Sequence, residues 1–327
     1  MARDEIRIVG SSTVYPFSTK VAQEFEAKTG IKVVVESTGS GGGHKLFCAG
    51  VGTAHPDITN SSRRQKKSEL ETCAKNGVTD VVEVKVGFDG IVIANARSAP
   101  DLELSLEEVY RAFAQDIPAG DGSGDKCQFV PNPNTKWTDI RADLPDVKIE
   151  AYGPPPTSGT RDAFVEIAME GGAEKVPCMK ALKSADSKAF EAAARTLRED
   201  GAWIDAGEND SAIVQTLVRT PSAVGVFGFS FLDQNADKIK GATIDGVDPE
   251  FESIASGDYP VSRSLYFYIK KQHVGVVPGI QEYAVEFMSD GAAGPDGYLP
   301  PIGLIPLPPA ELEQYQDVVK NMTTYSQ

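Results

Sequence analysis

Ile6-Arg7-Ile8-Val9-Gly10-Ser11-Ser12-Thr13-Val14-Tyr15-Pro16-Phe17 joins a short β-branched run, a turn of small residues and the start of an amphipathic stretch. Phe17, Val21 and Phe25 then recur every four residues and share one helical face, and Gly30 stands where a C-terminal cap belongs. The same order follows at once. Lys32–Glu36 reads as a strand, Ser37-Thr38-Gly39-Ser40-Gly41-Gly42-Gly43 as a turn, and Gly42–Ala49 as a helix. Strand–turn–helix units in succession predict an α/β fold with a largely parallel sheet.

Further along, Val81–Val86 and Ile91–Asn95 are apolar runs separated by Gly87-Phe88-Asp89-Gly90, and 116–146 reads as loop. Val147–Ala151 predicts another strand, with helices over 158–170, up to about 199, over 211–219 and over 278–288. Ala223–Leu232 and Leu265–Ile269 read as strands. The 327 residues suffice for two domains with cores of their own. The expected division is one lobe of residues 1–87 plus 263–327 and a second of 96–255, with crossings at 88–95 and 256–262.

With 32 Lys+Arg against 47 Asp+Glu the chain carries a formal charge of −15, which excludes gripping nucleic acid or anionic lipid through bulk charge. No apolar run approaches the ~18 residues of a membrane span. The start, Met1-Ala2-Arg3-Asp4-Glu5-Ile6, has no apolar signal core, as in a cytosolic protein or a form lacking its leader. Cys48, Cys73, Cys127 and Cys178 match no zinc spacing. They allow two disulfides in three pairings, or four buried thiols.

Catalytic patterns fail. The three histidines, His44, His55 and His273, are not at metal-ligand spacing, and no G-x-S-x-G elbow occurs. Gly39–Leu46 has the outline of a nucleotide-binding P-loop, but Lys45 follows His44 rather than Gly and Leu46 replaces the magnesium-binding hydroxyl. Neither a metal nor a cofactor is expected.

Three stretches share one physical theme, a strand end, a Gly/Ser/Thr turn and a helix start: Gly10–Phe17, Ser37–Gly43 and Pro154–Asp162. Helix N-termini expose N–H groups and a positive dipole end, small residues allow close approach, and hydroxyls add donors without net charge. Capping alone explains any one of them. Three together point to a small tetrahedral anion. Arg161, at a helix start where a cation opposes the dipole, and Arg63, after a short strand, are the candidate charges. The plain alternatives are pairing of Arg161 with Asp162, and a solvated basic cluster of Arg63 with Arg64, Lys66 and Lys67. Asn209-Asp210 reads as an N-cap.

Ser11-Ser12-Thr13-Val14-Tyr15-Pro16-Phe17, Thr38-Gly39-Ser40-Gly41-Gly42, Asn60-Ser61-Ser62-Arg63 and Thr157-Ser158-Gly159-Thr160-Arg161-Asp162 occur in this order in a known family, as do Asp205–Asp210 and Tyr259–Arg263. Over nearly its whole length the chain resembles the phosphate-specific solute-binding proteins of bacterial ABC transporters. The resemblance implies a two-lobed periplasmic-binding-protein-like fold (type II) with the ligand cleft between lobes. It also implies a monomer in the periplasm whose leader has been removed, delivery of phosphate to a membrane permease, and a Cys48–Cys73 disulfide. Its implied ligands are Ser12, Thr13, Val14, Ser40, Ser62, Arg63, Ser158, Gly159, Thr160 and Arg161.

The best-known members carry aspartate where Arg63 stands and arginine where Pro154 stands. Members of the Ser-Arg type are similar to this chain in carrying aspartate at the Asp89 position, so Asp89 is the candidate acceptor for the phosphate proton; the plain alternative is a turn residue before Gly90. A fixed carboxylate gains a hydrogen bond from protonated phosphate and repels sulfate. The alternatives are a receptor for another oxyanion such as sulfate or molybdate, or for a small carboxylate. A scaffold without a ligand, and a phosphate-ester hydrolase with Ser158 as nucleophile, are more distant.

Overall fold

The computed structural model describes residues 3–206 and 210–326. The chain divides into two compact units, Met1–Asp89 with Arg263–Gln327, and Gly90–Ser262.

In the first unit β1 (Glu5–Gly10) lies between β2 (Lys32–Val35) and β3 (Ile58–Ser61), parallel to both, with Ile8 level with Val35 on one side and Ile58 on the other. The strand Ser262–Lys270 runs antiparallel to β3 and neighbours β4 (Val81–Ala96). The sheet is therefore mixed, not largely parallel.

Connecting β1 to β2 is α1 (Tyr15–Thr29), with proline in its first turn, where the missing N–H costs no hydrogen bond. Its Phe17, Val21 and Phe25 are buried as their spacing predicts, and Gly30, at φ 72°, closes it by donating to the Glu26 carbonyl. After β2 comes α2 (Ser40–Phe47), and after β3 comes α3 (Lys67–Lys75).

Gly43 within α2 and Gly10 at the end of β1 serve packing. A Cβ on Gly43 would lie 2.5 Å from Gly10 Cα and 2.5 Å from Thr59 Oγ1, and Gly10, at φ +120°, would push one to 2.1 Å from the Asn60 carbonyl oxygen. The backbone of α2 thus rests directly on β1 and β3. A Cys48–Cys73 disulfide joins the end of α2 to α3 within a core of Phe47, Val78, Val81 and Tyr268.

In the second unit Val224–Gly228 pairs antiparallel with the end of β4 and parallel with Ala151–Gly153, which pairs parallel with Trp203–Asp205. Phe113, Trp137, Phe164 and Trp203 form its aromatic core. The 158–170 helix is observed as Gly159–Phe164, a wider turn over Val165–Met169, and Glu170–Ala173.

Three expectations need correction. The two apolar runs around Gly87-Phe88-Asp89-Gly90 are one strand, β4, because Phe88 exchanges both backbone hydrogen bonds with Ile305 across the interruption. Asp89 is therefore a strand residue and not a turn residue. Ala223–Leu232 is a strand only to Gly228, after which Phe229–Gln234 is helical; a short apolar run fits either state. The 116–146 loop contains a paired strand, Asp116–Pro118 with Phe129–Pro131, and a Cys127–Cys178 disulfide fastens it to the helix Pro177–Ala185. All four cysteines are thus in disulfides.

Asn209 of the expected Asn209-Asp210 cap lies outside the described residues, as do Gly207 and Glu208; the helix there is Asp210–Arg219. Among the described residues no helix is long and apolar enough to cross a membrane.

Candidate functional site

The loops that follow β1, β2 and β3 leave from the carboxyl ends of parallel strands, where ligands of open α/β sheets bind. Backbone bonds lash them together. Ser11 donates to the Asn60 carbonyl, Thr38 to that of Gly10, and Gly10 to the Thr38 hydroxyl. Ser11, 2% exposed, accepts through its Oγ from the N–H groups of Thr13 and Val14 at 3.1 and 3.2 Å, which forms the Ser12–Val14 turn.

Ser40 begins α2, and its Oγ accepts from the Ser62 N–H at 3.0 Å with the two hydroxyls 3.1 Å apart. The second and third loops therefore meet at Ser40 and Ser62. Gly43 is the first residue of α2 to close a helical hydrogen bond, onto the Gly39 carbonyl, so the Gly41 and Gly42 N–H groups point out of the first turn.

Arg63 is not part of a loose basic cluster. Its guanidinium forms a two-pronged pair with Glu69 of α3, at 2.9 and 2.7 Å. Glu69 also accepts from the Lys66 N–H at the start of α3, one half of a capping box, since the Lys66 side chain has no acceptor for the other. Burial opposes ionisation of Glu69, yet Arg63 and the Lys66 N–H together hold its carboxyl below the usual range.

Behind Arg63 lies a buried polar chain. The Ser61 hydroxyl donates to the Arg63 carbonyl at 2.6 Å, so it accepts from His44 Nε2 at 3.1 Å, and His44 Nδ1 accepts from the Gln65 amide at 3.3 Å. The Gln65 N–H donates to the Tyr268 hydroxyl, which donates to Glu83, itself gripped by Arg64. Burial keeps His44 neutral, its pKa pushed down to about 4.

Asp89 faces Arg263, whose Nε is 3.9 Å from Asp89 Oδ2 and whose Nη2 donates to the Thr13 hydroxyl at 2.9 Å. Within the first unit the structure thus joins Thr13 to Asp89 through Arg263, and Ser40 to Ser62 and Arg63. A carboxylate, guanidinium groups, hydroxyls and N–H groups offer one acceptor among many donors, which suits a partly protonated oxyanion.

In the second unit Ser158 caps its helix, accepting through Oγ from the Thr160 N–H at 3.2 Å. Gly159 and Thr160 occupy the first turn. Arg161 reaches Asp205 Oδ1 at 2.5 Å and the Pro154 carbonyl at 3.3 Å, and its guanidinium lies 5.5 Å from the Trp203 ring centre. The carboxylate it meets at hydrogen-bond distance is that of Asp205, far along the chain.

Sequence reasoning missed Glu69 and Arg263 as site residues. The signal for Glu69 was an acid three positions into a helix; Arg263 stood in a quoted motif without a role. Among the described residues no group of His, Cys, Asp or Glu is arranged to hold a metal ion.

Residues 1–291 match the model of the PBP superfamily domain. The chain is 29% identical over 311 residues to Protein SphX of Synechocystis sp., covering 93% of this chain and 78% of that protein. It is 26% identical over 320 residues to the phosphate-binding protein PstS of Staphylococcus saprophyticus, covering 95% and 83%. Its fold matches the crystal structure of a possible phosphate binding protein from Planctomyces limnophilus with a TM-score of 0.75 at 26% identity, over 98% of this chain and 99% of that one.

Proposed function

The chain belongs to the PBP superfamily, and we propose that it is a receptor for inorganic phosphate that serves a membrane ABC permease and performs no catalysis. The observation that carries this reading is the pairing of one acceptor with many donors: Asp89 and Arg263 beside Thr13, and Ser40, Ser62 and Arg63 at the neighbouring strand ends. A relative named as a phosphate-binding protein aligns over 95% of the chain, which supports the choice of phosphate over other oxyanions. Ser158, Gly159, Thr160 and Arg161 are the second unit's candidate donors. The lobes of this reading are 1–87 with 263–327 and 96–255, with hinge segments at 88–95 and 256–262. Two disulfides favour work outside the cytoplasm.

A net charge of −15 does not oppose this, because the donors act at contact distance while salt screens the distant surface beyond about 10 Å. Near neutral pH phosphate keeps a proton for Asp89, and sulfate has none to give. Calorimetric titration with phosphate, sulfate and arsenate tests the assignment. Asp89→Asn is expected to weaken phosphate by ~1.5–3 kcal/mol, as for a lost bond to a charged group, and to relax the rejection of sulfate. An unchanged phosphate-to-sulfate preference in that variant rejects Asp89 as the acceptor, and no saturable phosphate binding by the parent chain rejects the function.

A further inference from the structure

The buried polar chain behind Arg63 begins at the other end of the sequence. Past the helix Pro309–Asn321, Tyr325 comes to lie beside the Arg64–Gln65 segment. Its N–H donates to the Val81 carbonyl at 3.0 Å, and its ring packs on Tyr268 with centres 5.8 Å apart. Its hydroxyl donates to the side-chain oxygen of Gln65.

That bond sets the direction of every bond after it. With Oε1 turned to Tyr325, the Gln65 amide presents Nε2 to His44, so His44 Nδ1 is the bare, accepting nitrogen and Nε2 carries the proton. The Nε2–H donates to Ser61 Oγ, and the Ser61 proton is left for the Arg63 carbonyl. A turned amide would call for the other imidazole tautomer, and Ser61 would then donate to His44 and release Arg63. Two weaker contacts favour the observed direction, Gln65 Nε2 with Cys48 Sγ at 3.7 Å and Glu69 Oε2 at 4.0 Å from His44 Nε2. Sulfur is a poor acceptor and 4.0 Å is beyond a hydrogen bond, so the Tyr325 bond is the strong one.

The near end of the chain lies under the candidate ligands. Ser61 Oγ donates to the Arg63 carbonyl at 2.6 Å and receives the Arg63 N–H at 3.4 Å, which encloses Ser62 between them. Ser62 in turn meets Ser40 through its N–H and its hydroxyl. Ser61, His44 and Gln65 are buried, so their part is to orient Ser62 and not to touch an anion.

We propose that Tyr325 is a positioning residue for anion binding: through Gln65 and His44 it fixes the direction of the hydrogen bonds that hold Ser62 against Ser40. This rests on the phosphate-receptor reading. A tyrosine that only anchored this end of the chain would change stability and leave the tautomer of His44 as it is.

The test uses the full chain with two readouts, nitrogen NMR of the labelled His44 imidazole at pH 7 and calorimetry with inorganic phosphate. Tyr325→Phe keeps the ring and removes one hydroxyl. The parent is expected to show His44 protonated at Nε2 alone, and Tyr325→Phe to show both tautomers. Phosphate should then bind about threefold more weakly, because only the fraction with the original direction holds Ser62 in place. His44→Phe cuts the chain in its middle while a ring still meets Tyr268, and is expected to cost about fivefold, as for one lost hydrogen bond. In that background Tyr325→Phe is expected to cost nothing further. The imidazole spectrum of Tyr325→Phe decides alone where His44→Phe does not fold.

A single unchanged Nε2–H tautomer in Tyr325→Phe, parental affinity in that variant, or an equal loss in both backgrounds overturns the proposal, while a phosphate-binding parent still stands for the function. A parent that binds no phosphate overturns both.

Discussion

The two candidate arginines are held in opposite ways. Arg63 is fixed by directional hydrogen bonds, a carboxylate fork in front and the Ser61–His44–Gln65 chain behind. Arg161 is fixed by one carboxylate contact, a longer bond to the Pro154 carbonyl and the face of an indole at the edge of an aromatic core. Hydrogen-bonded networks are exact in geometry but contain groups that titrate, and a packed aromatic core is indifferent to pH. One unit of the molecule is therefore exposed to acid through the network behind Arg63, and the other is exposed to loss of volume.

The largest effect expected from this contrast is at Trp203. It is 5% exposed, stacks on Phe164 at 5.3 Å between ring centres and meets Phe113 at 5.6 Å. Trp203→Ala should destabilise the second unit by about 3–5 kcal/mol, the usual cost of removing a buried large aromatic. Urea unfolding reads this directly. A loss below about 1 kcal/mol would mean that the aromatic core is not what fixes Arg161.

The next effect belongs to the first unit and appears with pH. His44 is 1% exposed and, folded, takes up a proton only near pH 4, whereas the unfolded chain does so near the ordinary imidazole value of 6.5. Between those values the unfolded state binds the extra proton. The stability contribution is therefore complete above pH 6.5 and is lost as pH falls toward 4. At about 1.4 kcal/mol per pH unit the loss is on the order of 3 kcal/mol. Comparing unfolding at pH 7 and 4.5 for the parent and His44→Gln isolates it from the carboxylates, and identical pH slopes would remove His44 from the account.

What could be read from the sequence follows the range of the interactions involved. The first strand, α1 with its buried Phe17, Val21 and Phe25, and the Gly30 cap are set by neighbours within about one helical turn, and the periodicity shows them. The turns bearing Thr13, Ser40 and Ser158 were visible for the same reason. The clamp on Arg161 comes from Asp205, 44 positions away, and Thr13 meets Arg263 across 250. Such pairs are fixed by strand order, which a local pattern does not encode. The plain alternative for Asp89, a turn residue, could not be dismissed from the sequence, because the strand partner that keeps β4 continuous, Ile305, lies far along the chain.

The smallest effect separates capping from binding, and the two units differ here as well. Ser158 caps its own helix, while Ser40 spends its oxygen on the Ser62 N–H of the next loop. Ser158→Ala should therefore cost about 1 kcal/mol of stability, the usual value for a lost N-cap, and Ser158→Gly only a few tenths. Phosphate affinity should fall alike in both variants, since each lacks the hydroxyl. Parallel melting and calorimetry on the pair thus divide one side chain into two functions. If affinity follows stability, with Ser158→Gly binding as the parent does, the hydroxyl is a cap and nothing more. The second unit would then bind through the Gly159 and Thr160 N–H groups and Arg161 alone.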